Sequence, residues 1–309
     1  MDETHTTSEG SEGESPEPEP LSIRTRDGRE LTAHLYRPAP EADGGRTALV
    51  IHPATGVDQH LYRGFARYAA RRGMPALIYD LRGSGLSERT GDARDGSLRM
   101  SDWMLRDVPA ATARLRELFP GRRLLAVGHS VGGHGQAASF AQEPVDALAL
   151  IASHAGITRT VRGAAERARV WAVFNLITPV SARLLGRVPV QRLGLGRTIP
   201  VGVMRQWARW SRLPGYFFDD AEHGFRERFA QVRAPVLSVV FADDPWATRE
   251  ASDILLAPMR RAEVRRWEVD PRAEGLGPVG HMGFFRTRSA ALWARVLDWL
   301  EEAGQPAGA

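Results

Sequence analysis

Apolar and polar residues follow two alternating patterns along the chain, and their order predicts a parallel sheet covered by helices. Short apolar runs of strand length are separated by longer segments in which apolar residues recur every three or four positions. The predicted strands are residues 48–52, 76–79, 124–127 and 147–152, and the predicted helices are residues 62–72, 103–118 and 131–142. Because strands and helices alternate, we predict an α/β fold with a mostly parallel central sheet flanked by helices.

A different pattern fills residues 154–232, which are too many for a simple connection between two strands. Helical spacing of apolar residues recurs over residues 161–176 and 204–212. We therefore predict a core of residues 21–153 and 233–303, with a helical lid of residues 154–232 inserted after the sixth strand. Most aromatic residues of the lid are expected to bury it against the core. The candidates for substrate contacts are Trp207, Trp210, Phe217 and, at the edge of the lid, His154.

Both ends of the chain have the composition of unfolded segments. Residues 1–20 are rich in Ser, Glu, Pro and Gly, and they contain seven acids and no lysine or arginine. Such a segment cannot bury enough apolar surface to offset the entropy of ordering. We predict a disordered acidic tail over residues 1–20 and a flexible carboxyl terminus over residues 304–309.

Length and composition limit the possible classes of protein. The chain has 309 residues, of which 43% are hydrophobic, and this is enough for one large core. It has no cysteine, which excludes disulfides and thiolate chemistry. No apolar run is long enough to span a membrane, and the amino terminus lacks the features of a signal peptide. A cytoplasmic location is therefore expected.

The basic residues of the chain are all arginine. After the first 20 residues, arginines exceed acids by eleven. This excess could attract nucleic acid or another anionic surface. The arginines are scattered without a dense tract, however, so we expect a small-molecule substrate and no nucleic-acid partner. No histidine spacing typical of a metal site occurs, and neither a metal nor another cofactor is predicted. The oligomeric state stays open.

A candidate nucleophile follows the strand predicted at residues 124–127. The sequence there is Gly128-His-Ser-Val-Gly-Gly, a Gly-x-Ser-x-Gly turn between a strand and a helix. Such a turn holds its serine in strained geometry, and glycine is needed where a β-carbon would collide with the neighbouring strand or helix. Ser130 is therefore the predicted nucleophile, and the N–H of Val131 is the predicted first donor to an oxyanion.

A carboxylate and a histidine occur further along the chain at suitable places. The apolar strand that begins at Pro235 ends in Asp243 and Asp244. Either acid could serve, and Asp244 is preferred because Pro245 fixes the loop after it. His281 lies in a glycine-rich loop between the last strand and the last helix. The order Ser130, Asp244, His281 is that of the α/β-hydrolase type of catalytic triad.

Two further features of the site stay open at this stage. Among the other histidines, His154 and His223 lie at the edges of the lid and could contact substrate. The second oxyanion donor is expected from the sequence His52-Pro-Ala-Thr-Gly after the first long strand. Ala54 is preferred for this role, followed by Thr55.

These motifs resemble those of the α/β-hydrolase superfamily over residues 21–300. The similar segments are Gly128-His-Ser-Val-Gly-Gly, Asp80-Leu-Arg-Gly-Ser-Gly, Phe241-Ala-Asp-Asp-Pro and Gly280-His-Met-Gly-Phe-Phe-Arg. More narrowly, the chain looks like a bacterial group of predicted serine hydrolases through His52-Pro-Ala-Thr-Gly-Val, Pro200-Val-Gly-Val-Met-Arg-Gln-Trp-Ala-Arg-Trp and His281-Met-Gly-Phe-Phe-Arg. This resemblance implies the fold and the triad but not the substrate. His52-Pro53 stands where many members of the superfamily carry His-Gly.

The sequence therefore predicts a serine hydrolase that cleaves a carboxylic ester through an acyl-enzyme on Ser130. Amides and thioesters are the other acyl compounds open to the same chemistry, and an apolar acyl group is expected. Two alternatives remain: transfer of the acyl group to an alcohol or amine, and a non-catalytic module that binds a ligand or a partner.

Overall fold

The computed structural model describes residues 17–194 and 196–303, which form one eight-stranded sheet with helices on both faces. The strands are β1 (Pro18–Arg24), β2 (Glu30–Tyr36), β3 (Thr47–His52), β4 (Ala76–Tyr79), β5 (Arg123–His129), β6 (Ala147–Ile151), β7 (Val236–Phe241) and β8 (Val264–Val269). Their order across the sheet is β1-β2-β4-β3-β5-β6-β7-β8. Strands β3 to β8 are parallel, whereas β2 is antiparallel to both β1 and β4. The predicted architecture of a mostly parallel sheet flanked by helices is confirmed.

Helices cover both faces of the sheet, and four more lie in the segment between β6 and β7. Their bounds are α1 (Arg63–Arg71), α2 (Met100–Asp102), α3 (Val108–Leu118), α4 (Val131–Ser139), α5 (Ala164–Ala172), α6 (Thr178–Leu184), α7 (Val201–Trp210), α8 (Phe225–Phe229), α9 (Arg249–Leu256) and α10 (Ala290–Ala303). Helices α1 and α10 bury Phe65 and Val296 on one face of the sheet. Helices α3, α4 and α9 pack on the opposite face, where Leu115 and Leu255 belong to a second core. Within the described residues, none of the helices is both long and apolar enough to cross a membrane.

Strand β1 begins earlier than the sequence suggests. The predicted acidic tail ends at residue 20, but β1 starts at Pro18 and pairs with β2, and Glu19 forms an ion pair with Arg37. Proline is tolerated here because β1 is an edge strand with one side unpaired. The remainder of the predicted tail, residues 1–16, and residues 304–309 lie outside the described residues.

Four helices, α5 to α8, occupy the segment between β6 and β7, where the lid is predicted. Helices α5 and α6 are joined by a π-helical turn, Val173–Ile177, so that residues 164–184 form one continuous helical rod. Pro179 follows this turn; a proline removes one backbone donor, and the wider turn accommodates the gap. We call residues 154–232 the helical insertion.

The turn at Ser130 depends on two close backbone approaches. A β-carbon at position 128 would lie 2.3 Å from the Cα of Gly133, and one at position 132 would lie 2.2 Å from the carbonyl oxygen of His52. Both distances are far inside van der Waals contact. The neighbouring atoms belong to backbone and cannot rotate away, so glycine is required at both positions.

Replacing Gly132 with alanine is expected to lower the free energy of unfolding by about 3 kcal/mol, because β3 must shift away from α4. Denaturant unfolding of the two proteins measures this difference. Gly277→Ala is the matched control, since a β-carbon there meets no atom within 4 Å, and a change within about 0.5 kcal/mol is expected. Equal stability of the Gly132→Ala variant and the wild type would show that the turn relaxes freely.

Candidate active site

Ser130 lies at the sharp turn between β5 and α4. Its backbone has φ 52° and ψ −116°, a strained conformation for a residue with a side chain. Its N–H donates to the carbonyl oxygen of Ile151 at 3.0 Å, and its own carbonyl accepts from the hydroxyl of Ser153 at 3.0 Å. These bonds to β6 and the segment after it hold the strained turn in place, and Ser130 is partly exposed.

Asp244 and His281 meet at the carboxyl edge of the same sheet. The Nδ1 of His281 lies 2.7 Å from the Oδ2 of Asp244, and the other carboxylate oxygen accepts from the N–H of Trp246 at 2.8 Å. Asp244 is fully buried, and burial raises the pKa of its carboxyl. The charge of a protonated His281 and the hydrogen bond outweigh burial and bring this pKa down to about 2. Asp244 is therefore an anion that fixes the orientation of the His281 ring and leaves Nε2 as its free nitrogen.

Asp243, the other acid predicted at this position, has a different environment. Its two carboxylate oxygens accept from the N–H groups of Val279 and Gly280, at 2.8 and 2.9 Å. Asp243 thus holds the backbone of the loop that carries His281, whereas Asp244 contacts the ring. The sequence favoured Asp244 as the acid because of Pro245, but it did not predict that Asp243 binds the backbone of the His281 loop.

Ser130 and His281 line one cavity of about 280 Å³. Its walls are mostly apolar and come from the loop after β3, the helical insertion and the loops around Asp244 and His281. The other lining residues are Ala54, Thr55, Val57, His154, Arg169, Gly194, Gly196, Trp207, Trp246 and Met282. Among the hydrogen bonds of the described residues, none joins the Ser130 hydroxyl to the His281 ring. Such contacts often tighten only when substrate is bound.

The two predicted oxyanion donors differ in their surroundings. Val131 is the first residue of α4, so its N–H has no partner within the helix. The N–H of Ala54 instead donates to the hydroxyl of Tyr62 at 2.9 Å. The N–H of Ala54, the preferred second donor, is therefore already used in a hydrogen bond to Tyr62. Thr55, the second choice from the sequence, also lines the cavity.

A buried chain of hydrogen bonds links the Ala54 loop to His281. The Tyr62 hydroxyl, which accepts from Ala54, lies 2.9 Å from the Nδ1 of His129, and the Nε2 of His129 lies 2.9 Å from the carbonyl oxygen of His281. Because a carbonyl can only accept, Nε2 carries the His129 proton, and the tyrosine donates to Nδ1. Burial lowers the pKa of His129 to about 3, which agrees with this neutral form. Tyr62 and His129 therefore connect the Ala54 loop to the backbone of His281.

His154 is the predicted substrate contact whose ring lies against His281. Its ring meets the His281 ring edge to face, with 5.3 Å between centroids. Burial, and then the charge of His281, lower the pKa of His154 to about 4. Its Nδ1 lies 3.1 Å from the carbonyl oxygen of Ala152, so Nδ1 carries the proton. His154 is therefore neutral. Both His154 and Trp207, another predicted substrate contact, line the cavity.

The other two predicted substrate contacts do not reach this cavity. Trp210 is fully buried, and its indole N–H donates to the Oδ2 of Asp220 at 2.6 Å. Phe217 is also fully buried and packs against Phe225 and other aromatic rings of the helical insertion. Both residues stabilise the insertion and do not contact the cavity. Position along an amphipathic helix predicts burial but not whether the buried face meets a cavity or a core.

Sequence reasoning missed three residues of the site. Trp246 could have been found from the sequence, since it follows Asp244 by two positions. Tyr62 lies far from every motif, and nothing in the sequence pairs it with Ala54. Arg169 comes from α5, and its guanidinium is paired with Glu166 at 2.8 and 2.6 Å and lies over the Trp246 ring. His223, left open from the sequence, is not among the cavity-lining residues.

The Asp80-Leu-Arg-Gly-Ser-Gly segment has a structural role. The carboxylate of Asp80 is buried and accepts from the N–H and side-chain amide of Gln59 and from the N–H of Leu86. A β-carbon at position 85 would lie 2.4 Å from this carboxylate. Gly85 therefore lets the loop close around Asp80. The hydrogen bonds of the Asp80 carboxylate in turn connect the loops that follow β3 and β4.

Comparison with solved structures shows the same architecture in esterases. An esterase of Pyrococcus furiosus superposes with a TM-score of 0.59 at 15% identity, covering 94% of this chain and 93% of that chain. The esterase domain of a Rhodothermus marinus protein gives 0.58 at 17% identity, covering 94% and 100%. A thioesterase domain from the curacin biosynthetic pathway gives 0.53 at 16% identity, covering 91% and 99%. At these identities the likeness concerns the fold. No curated protein matches the sequence of this chain.

The sequence of the chain also matches the sequence pattern of a known protein family. The family described as serine aminopeptidase, S33 matches residues 46–206, which is about half of the chain and includes the turn at Ser130. The match ends before Asp244 and His281. The protein therefore belongs to this family of serine hydrolases and has the α/β-hydrolase fold.

Proposed function

We propose that this protein hydrolyses a carboxylic ester through a triad of Ser130, His281 and Asp244. One observation carries the proposal: a serine in strained turn geometry shares a cavity with a histidine whose far nitrogen is bound to a buried, ionised aspartate. A neutral imidazole in this orientation can accept the proton of the serine hydroxyl. The esterase fold of the solved relatives supports the same chemistry.

The proposed reaction has two stages. Ser130 attacks the ester carbonyl while the Nε2 of His281 takes the hydroxyl proton, and that proton then passes to the leaving alcohol. Water attacks the acyl-enzyme in the second stage, and His281 again serves first as base and then as acid. Asp244 stabilises the charged imidazole and keeps its Nδ1 protonated.

The negative oxygen of each tetrahedral intermediate needs hydrogen-bond donors. Val131 supplies one N–H at the positive end of α4. For the second donor we favour Thr55, because it lines the cavity while the N–H of Ala54 donates to Tyr62. The N–H of Ala54 could serve as the second donor only if its hydrogen bond to Tyr62 opens.

The cavity favours a short apolar acyl group. Its volume of about 280 Å³ lies just below the usual range of ligand sites, roughly 300–1,000 Å³. Trp207 and Arg169 contribute to it from the helical insertion, so we propose that the insertion acts as a lid. None of the described residues that line the cavity is an acid that could bind the positively charged amino terminus of a peptide. This favours ester over aminopeptidase activity despite the name of the family.

Labelling with a fluorophosphonate tests the activated serine without knowledge of the substrate. The wild type is expected to gain one covalent label, located on the peptide that contains Ser130, and the Ser130→Ala variant none. The labelled enzyme justifies a screen of short- and long-chain esters, thioesters and aminoacyl amides. A folded wild type that stays unlabelled would count against catalysis and favour a binding module. Product analysis with added alcohols or amines separates hydrolysis from acyl transfer.

A further inference from the structure

An exposed apolar surface runs along the rod formed by α5 and α6. In the part of the chain that the structure describes, six large apolar side chains are more than half exposed, and five of them lie within 15 residues of the helical insertion. We call these five the apolar stripe: Trp171, Leu176, Val180, Leu184 and Leu185. Their exposure ranges from 51% to 74%.

The opposite side of the rod is already buried. Val170, Val173 and Phe174 pack into the core of the molecule. Leu176, Val180 and Leu184 follow one another at intervals of four residues and therefore share a face that points away from the core. A helix that is apolar on both sides normally has both sides covered, and contiguous exposed apolar surface marks a contact site.

Positive charge surrounds the apolar stripe. Residues 147–218 contain eleven arginines, of which Arg169, Arg197 and Arg209 are paired with acids and the others exceed the nearby acids. Arg167 and Arg212 line the same groove as Trp171. Arg183 and Arg187 flank Leu184 and Leu185, and neither forms an ion pair within residues 17–194 and 196–303.

This charge decides between the possible occupants. In a symmetric dimer the apolar stripe would meet its own copy and bring the same arginines together, which costs free energy. An anionic lipid surface offers the opposite charge together with an apolar layer, and tryptophan and arginine are well suited to that boundary. We propose that the apolar stripe docks the helical insertion onto an anionic lipid surface.

Vesicle co-sedimentation tests this proposal in the Ser130→Ala protein, so that the result does not depend on hydrolysis. Vesicles of phosphatidylcholine with about one third phosphatidylglycerol are compared with vesicles of phosphatidylcholine alone. We expect binding to the anionic vesicles that weakens as salt is raised. Changing both Leu184→Ser and Leu185→Ser is expected to lower the partition coefficient at least about tenfold, because two leucines lose their burial in lipid. Arg183→Gln with Arg187→Gln should lower it about tenfold or more.

Leu86→Ser is the matched control, because Leu86 is the sixth exposed apolar residue, 53% exposed, and lies outside the insertion. Its partition coefficient should stay within about twofold of the parent. Circular dichroism checks that every variant is folded. Equal binding to both kinds of vesicle, or unchanged binding of the double-leucine variant, would overturn the proposal. A dimer in light scattering that the double-leucine change converts to a monomer would also overturn it, in favour of a second copy as the occupant.

Discussion

Replacing Asp244 with asparagine is expected to lower kcat on an activated ester by about 10⁴-fold while leaving the protein folded. The carboxylate accepts the Nδ1–H of His281 at 2.7 Å, and an amide group in its place can donate to Nδ1 instead. The proton of the neutral imidazole then moves to Nε2, which can no longer accept the Ser130 proton. The measurement is kcat for a p-nitrophenyl ester between about pH 6 and 9, with Ser130→Ala as the background rate.

Asp243→Asn is the matched control for this prediction. Asp243 lies next in sequence and also contacts the His281 loop, but through the N–H groups of Val279 and Gly280. An asparagine keeps one acceptor oxygen, so we expect less than about a tenfold loss of kcat and about 1 kcal/mol of lost stability. Similar losses of kcat in the two variants would refute the distinct roles assigned to the two acids.

Acid is expected to destabilise the folded protein strongly, beginning near pH 6. Four histidines of residues 17–194 and 196–303 are buried, and burial is the main cause that lowers each pKa: to about 3 for His52, His129 and His134, and to about 4 for His154. In the unfolded chain these rings bind protons near pH 6.5. Between about pH 6.5 and 4 the unfolded state therefore holds more protons, and the free energy of unfolding falls as pH falls.

Each such histidine contributes roughly 1.4 kcal/mol per pH unit in this window. Burial raises the pKa values of Asp80 and Asp107, and these two carboxyls offset part of the loss. A domain has about 5–15 kcal/mol of stability, so we expect several kcal/mol to be lost between pH 7 and 5. Denaturant unfolding at a series of pH values measures the slope.

His134→Gln should reduce the slope of the free energy of unfolding against pH by roughly 1.4 kcal/mol per pH unit, because the unfolded state then binds about one proton fewer. Glutamine can still donate to the carbonyl oxygen of His154, as the His134 ring does at 2.9 Å. His60→Gln is the comparison for the loss of a histidine that is not buried, because the His60 ring is half exposed. A free energy of unfolding that is equal at pH 7 and 5 would contradict the neutral state of the buried rings.

Much of the fold could be predicted because the spacing of apolar residues and the length of each element are local properties of the sequence. Continuous apolar runs such as residues 124–127 indicate strands buried on both faces, and the longer segments between them repeat at helical spacing. The prediction was wrong at the start of β1, where pairing with β2 orders Pro18 to Pro20 despite a polar composition. Pairing between strands is a long-range contact, and local composition does not report it.

The residues of the candidate site divide in the same way. Ser130 could be found because a strained turn needs glycines at fixed positions around it. Asp244 and His281 could be found because parallel strands bring their carboxyl ends to one edge of the sheet. The choice between Asp243 and Asp244, and the placement of Trp210 and Phe217 away from the cavity, depend on side-chain directions that no spacing encodes.

The sequence by itself determined the class of fold, the turn at Ser130 and the order of the candidate acid and base, because each of these follows from contacts between residues close in the chain or from the regular geometry of a parallel sheet. Only the tertiary structure decided that Tyr62 and His129 link the Ala54 loop to His281, that Arg169 and Trp246 close the cavity, and that the apolar stripe faces outward. These features join residues tens to more than a hundred positions apart, or depend on which side of a helix meets the core. The packing of the whole chain sets them.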